Sequence, residues 1–337
     1  MRQPRSPHWT KPGYYLGLIG LIVVAALALS FISQIHLVND GQLLSECVSK
    51  PTVKAIVKPI TAAPAGAGTF ASTATWSQNF AALPNGPLNA NIWQYNTGNG
   101  GPSNPGWGND EQEYYTNSLA NARIENGNLI IEALNQPLDG FDYTSARLTT
   151  LPSLNFTYGR LDIIAKLPAG IGNWPALWLL PSNGQYALTT PAGEQDPNNY
   201  LRDGEIDIME ATGDLPDQVT SSAQSYTYNP SNNNERIAYF NVSDDTTTFH
   251  DYELQWTPDS LAFLVDGVTY HTVTRNPDDT YLAWPYDQPF YLILNIAMGG
   301  TEGGTDVQQF PPYGIDNSSG PWEMVIKSIN YYPYNGS

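Results

Sequence analysis

Glu205, Asp207 and Glu210 fall within six residues of one another in the stretch "RDGEIDIMEATG" (202–213), interleaved with Ile206, Ile208 and Met209. Side chains two apart in a strand share a face, so Glu205 and Asp207 point the same way. Glu210 is an odd step from Glu205 and should point the other way. One β-bulge between Asp207 and Glu210 restores it, because an extra residue shifts the alternation by one. Three carboxylates on one face are costly as structure, since neighbouring like charges resist joint ionisation. They suit chemistry better. Two carboxyl groups roughly 5–5.5 Å apart are the geometry of retaining glycoside hydrolysis, one as nucleophile and one as general acid/base. A third between them can hold a proton and keep the two roles apart. A solvated acidic strand face or a calcium site is the alternative on these residues alone.

Such a strand needs a β scaffold. The chain has 337 residues, 41% hydrophobic and only 14% charged, with 29 Gly and 27 Pro. From Trp76 onward short runs such as "GNLIIEAL", "RLDIIAKL", "DYELQW", "LAFLVDG" and "FYLILNIAM" are bounded by Gly, Pro, Asn or Asp, the pattern of short strands and turns. Asp266–Gly267 in "VDGVTYHTV" is a two-residue hairpin signal, and Pro258–Asp259 in "WTPDSLAF" marks another turn. No long amphipathic helix and no internal repeat is evident. Residues 76–337 therefore read as one all-β domain, an antiparallel β-sandwich or jelly roll.

The N-terminal part differs. Residues 1–13 are short and basic, and 14–35 are almost wholly apolar. Roughly 20 apolar residues span a bilayer as a helix, and basic residues ahead of it stay cytoplasmic. The apolar run continues through Ala26–Ala28, so an uncleaved signal anchor is expected in preference to a cleaved signal peptide. Residues 36–75 are rich in Pro, Ala, Gly and Thr and read as a linker. The expected product is a membrane-anchored chain with its β domain outside the cytosol, secreted if the anchor is cut.

Charge limits the partners. Residues 1–75 hold six basic and two acidic side chains, leaving 8 basic against 30 acidic in the remainder. That surface repels phosphate backbones, which argues against nucleic acid and favours a neutral substrate. The chain is expected to act as a monomer. Cys47 is the single cysteine, so no intrachain disulfide forms. His250 and His271 are not at metal-ligand spacing and read as structural groups. No G-x-S-x-G elbow or phosphate loop is present.

Several segments, in order, resemble glycoside hydrolase family 16, in its laminarinase-like subgroup of endo-β-1,3-glucanases. "GEIDIMEATG" is similar to its bulged E-x-D-x-x-E strand, and "YNTGNGGPSNPGWGNDEQEYYT" (95–116), "YTSARLTT" (143–150), "YGRLDIIAKLPAGIGNWPALWLLP" (158–181) and "PFYLILNIAMGGTEGG" (289–304) match its other strands and loops. The resemblance implies a concanavalin-like jelly roll, with Glu205 as nucleophile, Glu210 as general acid/base and Asp207 as assisting carboxylate. It implies Trp174 and Trp178 as cleft walls for sugar stacking, Asn109 as a sugar contact towards the non-reducing side, and Trp107 and Trp256 as either core or platform. No cofactor is implied.

Departures carry information too. Gln224 stands where the family often has His; it is expected to contact substrate by hydrogen bonding but cannot shuttle protons. Ile164 stands where the family often has an Arg that reaches sugar, so one substrate contact is expected to be missing. Lys327 replaces an Asp that can hold a structural calcium, so that site is not expected here. The substrate implied is β-1,3-glucan or mixed-linkage β-glucan. Hydrolysis of another polysaccharide (galactan, agar, carrageenan), transglycosylation, and a non-cutting glucan-binding module remain open.

Overall fold

Alternation along single strands decides which face each residue serves. In Gln218–Gln224, Val219 and Ala223 are fully buried, while Gln218, Thr220 and Gln224 are half-buried. In Gly159–Lys166, Leu161, Ile163 and Ala165 face the core. The computed structural model describes residues 69–186, 198–300 and 314–336. All of these lie in one unit, Ala62–Ser337. The segments read as anchor and most of the linker lie outside the described residues. No helix among the described residues is long and apolar enough to cross a membrane.

The strands form two antiparallel sheets. A seven-stranded sheet runs in the order Ile237–Asn241, Gln218–Gln224, Glu205–Ala211, Asn173–Pro181, Phe290–Met298, Arg147–Thr149 and Gln94–Asn96. An eight-stranded sheet runs Val268–Thr274, Ser260–Val265, His250–Thr257, Gly159–Lys166, Trp322–Tyr332, Asn128–Ala133 and Ala122–Glu125, with Trp76–Asn79 also paired to Trp322–Tyr332. Ile206, Leu177, Leu179, Leu292 and Leu294 of the first share one apolar cluster with Leu161, Leu254, Trp256, Phe263 and Ile329 of the second. This is the sandwich the strand pattern predicts, its core made of both inner faces. Glu113–Tyr115 and Tyr143–Ser145 add a small parallel pair.

The local turn signals are realised. Asp266 and Gly267 both have positive φ, 50° and 76°, between the paired residues Val265 and Val268, as a type I′ turn requires. Thr257 pairs with Ser260 around Pro258–Asp259. Residues 69–75, read from sequence as the end of the linker, run along the last strand: Phe70 bridges Tyr334, and the Thr75 N–H donates to the Tyr331 carbonyl at 2.9 Å.

Ile164 proves to lie on the second sheet, away from the catalytic strand, in register with Asp251. The expectation of a lost sugar contact is thereby corrected; what the position lacks is a cation beside Asp251. Asp162, Asp251 and Glu253 each offer an oxygen within 4.8 Å of the others, and Arg160, 2.8 Å from Asp162, is the paired cation there. Burial, then the charges of Asp162, Glu253 and Asp266, push the Asp251 carboxyl up to about 7. Its neutral form is favoured by folding, so its stabilising contribution is complete below about pH 4 and is lost as pH rises through about 7. Asp251→Asn removes that loss. Discounted for solvent exposure, roughly 1 kcal/mol is at stake, or about 2–4 °C. The variant should melt above the parent at pH 8 and with it at pH 4. Equal melting temperatures at pH 8 would contradict the charge argument.

Candidate active site

On the catalytic strand, Glu205 pairs with Gln224 and Asp207 with Ser222, but Glu210 pairs with Thr220. Three steps on this strand thus match two on its neighbour. On the other side Asp207 pairs with Trp178 and Met209 with Leu177. The extra residue is absorbed inward: Ile208 and Met209 are 2% and 0% exposed and both belong to the core. Alternation then restarts with Glu210 on the outer face, beside Thr220, Ser222 and Gln224 in one groove. This is the bulge that the spacing of the three acids calls for.

Each acid accepts from a neighbouring side chain, and one donor is shared. Gln224 Nε2 donates to Glu205 Oε1 at 3.1 Å and to Asp207 Oδ2 at 3.2 Å. Ser222 Oγ donates to the same Asp207 oxygen. Trp174 Nε1 donates to Glu210 Oε1 at 3.0 Å. Asp207 is buried, whereas Glu205 and Glu210 are half-buried, and Glu210 lines the groove. The outer two are therefore available to a ligand, and the middle one acts through its neighbours. Gln224, expected from the resemblance as a substrate contact, bridges two of the acids. Trp174 is 6% exposed, so its hydrogen bond to Glu210 outweighs any service as an open stacking face.

On the other flank the sequence reading missed the central residue. Arg147 lies between two indoles, its guanidinium carbon 4.4 Å from the Trp107 ring centroid and 4.7 Å from that of Trp178. Cation–π contacts of this kind are worth about 0.5–2 kcal/mol each. Trp178 is half-buried, opposite in facing to Leu177 and Leu179, so it belongs to the carboxylate face and not to the core. Trp107 sits on a short turn, Pro105–Gly108, with φ of 53°. Trp256, by contrast, is pure core: 1% exposed, its Nε1 donating to the Tyr286 carbonyl.

A buried polar chain supports this flank. Asn109 Nδ2 donates to Glu111 Oε1 at 3.3 Å, and Tyr115 OH donates to Glu111 Oε2 at 2.9 Å. Asn295 Nδ2 donates to Tyr115 OH, and Trp178 Nε1 donates to Asn295 Oδ1 at 2.7 Å. Glu113, fully buried, accepts the Met298 N–H at 2.6 Å. Burial, then the adjacent Glu111 charge, hold the Glu113 carboxyl well above its ordinary range. The one visible hint of this pair was the repeat of acids at 111 and 113 in "DEQEYY", two apart and so on one face.

The remaining candidates are structural. His271 Nδ1 is 2.9 Å from Ser221 Oγ and its ring stacks on Phe263; His250 Nδ1 is 2.7 Å from Asp266. Burial pushes His271 down to about 4, so it is neutral at ordinary pH. Lys327 is exposed at a register shift between Ile326 and Ser328, its ammonium 5.9 Å over the Phe249 ring. A cation there does not fit a calcium of the family type. Among the described residues, the acids grouped closely enough to reach one metal ion are Asp162, Asp251 and Glu253, on the opposite sheet from the catalytic strand.

Comparison with known proteins agrees with this geometry. The model of "Glycosyl hydrolases family 16" matches residues 104–316. A beta-glucanase of Rhodothermus marinus is 39% identical over 245 residues, covering 71% of this chain and 78% of that protein. A glucan endo-1,3-beta-glucosidase of Cryptopygus antarcticus is 34% identical over 272 residues, 76% of this chain and 89% of its own. The X-ray structure of the laminarinase from Rhodothermus marinus superposes with a TM-score of 0.68 at 37% identity, covering 79% of this chain and 98% of that one. With its sandwich, its bulged acidic strand and these matches, the chain belongs to glycosyl hydrolases family 16.

Proposed function

We propose that the chain is a retaining, endo-acting glycoside hydrolase of β-1,3-glucan, with Glu205 as nucleophile, Glu210 as general acid/base and Asp207 as the assisting carboxylate. The observation that carries it is the bulge, which returns Glu210 to the face that Glu205 occupies, with a separate donor on each. Glu205 attacks the anomeric carbon while Glu210 gives its proton to the departing glycosidic oxygen, and the C–O bond to the leaving chain breaks. Glu210, now ionised, takes a proton from water. That water attacks the glycosyl–Glu205 ester and frees the sugar with its original configuration. Ser222 and Gln224 keep Asp207 and Glu205 in place through both steps. Glucan is favoured as substrate by the glucanases among the relatives and by the half-buried Trp178 on the carboxylate face, whose indole suits a sugar ring.

Residues 14–35 are proposed to hold this domain on the outer side of a membrane, on the strength of their apolar length. One experiment addresses both readings. The full chain is expressed, membranes are pelleted, and reducing ends released from laminarin are followed with NMR of the first product anomer. Activity in the pellet with β-anomer appearing first is expected. An α-anomer first would rule out retention, and activity confined to the supernatant would rule out the anchor.

A further inference from the structure

Exposed apolar side chains gather at one end of the groove. Tyr239 is 60% exposed and Leu215 46%, and both line the groove with Glu210, Thr220, Ser222 and Ile237. Their placement follows from register. Glu210 pairs with Thr220, and Thr220 pairs with Tyr239, so the three stand in one row across adjacent strands. Strands lie about 4.8 Å apart, which sets Tyr239 roughly 10 Å from Glu210, about two sugar rings away. The intervening residues, Thr220 and Ser222, are short and leave a trough. Phe240, next in the strand, turns to the opposite face and stacks on Tyr270 with ring centroids 5.0 Å apart, which holds Tyr239 outward.

A lone exposed aromatic on the edge strand would need no explanation. This one ends a small-residue trough that starts at the proton donor. Arg147, Trp107, Trp178 and Asn109 occupy the other flank of the catalytic strand, so the two ends of the groove are built differently. The Arg147 flank is charged, hydrogen-bonded and buried; at the other end Tyr239, Leu215 and Ile237 offer apolar surface beside Gln218 and Glu235.

We infer that Tyr239, with Leu215 and Ile237 at its margin, is a binding platform for the leaving portion of the glucan chain, two sugars beyond the bond that is cut. The platform rests on the hydrolase reading above and on Asn109 marking the non-reducing flank. A flat phenol beneath the second leaving sugar offers stacking, while the first sugar settles over Thr220 and Ser222. Release of the product then depends on how strongly Tyr239 grips it.

The test uses the full chain with Tyr239→Ala and Tyr239→Trp. Specificity constants are measured on β-1,3-gluco-oligosaccharides of increasing length and on an aryl β-glucan oligosaccharide whose aryl group fills only the first leaving position. Tyr239→Ala should lower kcat/KM on the long oligosaccharides about 3–10-fold, the value of one aromatic stacking contact, and leave the aryl substrate unchanged. Tyr239→Trp should restore or exceed the parent, and cleavage positions should shift in the Ala variant alone. An equal loss on both substrates, or no loss on long ones, overturns the platform. A shift that depends only on sugars added at the non-reducing end overturns its polarity and so the proposal. A parent that releases nothing from glucan overturns the hydrolase reading, and the platform falls with it; an active parent matched by Tyr239→Ala at every length overturns the platform alone.

Discussion

Glu205→Gln and Glu210→Gln should each retain less than about 0.1% of parental turnover on laminarin while melting no lower than the parent. The loss follows from the division of labour: without Glu205 no covalent intermediate forms, and without Glu210 the leaving oxygen gets no proton, a term worth about 10²–10⁴ by itself. Stability should hold or rise slightly, because each substitution removes one of three carboxylates that stand on the same face of one strand. The amides keep the shape, so Trp174 and Gln224 still find an oxygen to donate to. The two variants are told apart by an aryl substrate with a good leaving group. Glu210→Gln should still form the glycosyl-enzyme and show a burst, since that leaving group needs no proton; Glu205→Gln should show none. A burst from Glu205→Gln, or turnover near the parent's from either, would remove these residues from their roles.

The second large effect lies in the buried pair behind the Trp178 wall. Glu113 is fully enclosed, its Oε2 takes the Met298 N–H, and its Oε1 meets no donor. Its neighbour Glu111 already accepts from Asn109 and Tyr115. A proton on Glu113 resolves the conflict, since the acid can then donate to Glu111. The raised carboxyl of Glu113 sets the sign. Below pH 4.5 the folded and unfolded chains both hold the proton. Above it the unfolded chain releases the proton and the folded chain does not, so this residue's stabilising contribution is lost as pH rises. Glu113→Gln supplies a permanent donor with nearly the same shape. It should match the parent at pH 4 and melt several degrees higher at pH 8, with KM on laminarin unchanged. Glu113→Ala should lose about 2–4 kcal/mol at every pH, from the cavity and the orphaned Met298 N–H. Thermal melts of both variants from pH 4 to 8 decide it. A Gln variant that tracks the parent across that range, or falls below it, would show that Glu113 is ionised.

The features legible in the sequence are those set by neighbours along the chain. Asp266–Gly267 announces its turn because few residue pairs accept two positive φ values in succession. Glu205, Asp207 and Glu210 announce a bulge because a period of two cannot otherwise align them, and Ile206, Ile208 and Met209 say which face is inward. Strand-length runs and turn residues announced the sandwich, and the order of matching segments added the family.

Position 164 shows where this kind of reading stops. "RLDIIAK" reads as a strand from its own residues, yet nothing in it says to which sheet it belongs. Only the pairing with Asp251 places it on the sheet opposite the acids. Arg147 is similar. Its partners Trp107 and Trp178 lie 40 and 31 residues away in the chain, and its strand is seated by Phe290–Met298, far later still. The Glu111–Tyr115–Asn295–Trp178 chain likewise joins a loop and the short strand Glu113–Tyr115 to two strands that meet only in the folded sheet.

The sequence by itself thus determined the acids, their spacing, the strand that carries them and the turns that punctuate the fold, because backbone geometry and side-chain alternation are local. The tertiary structure alone decided that Gln224 bridges two acids, that Arg147 sits between two indoles, that Glu113 is sealed beside Glu111, and that Tyr239 stands in line with Glu210. Those facts depend on which strands become neighbours and in what register, and that choice is made by burying a shared core across distant segments.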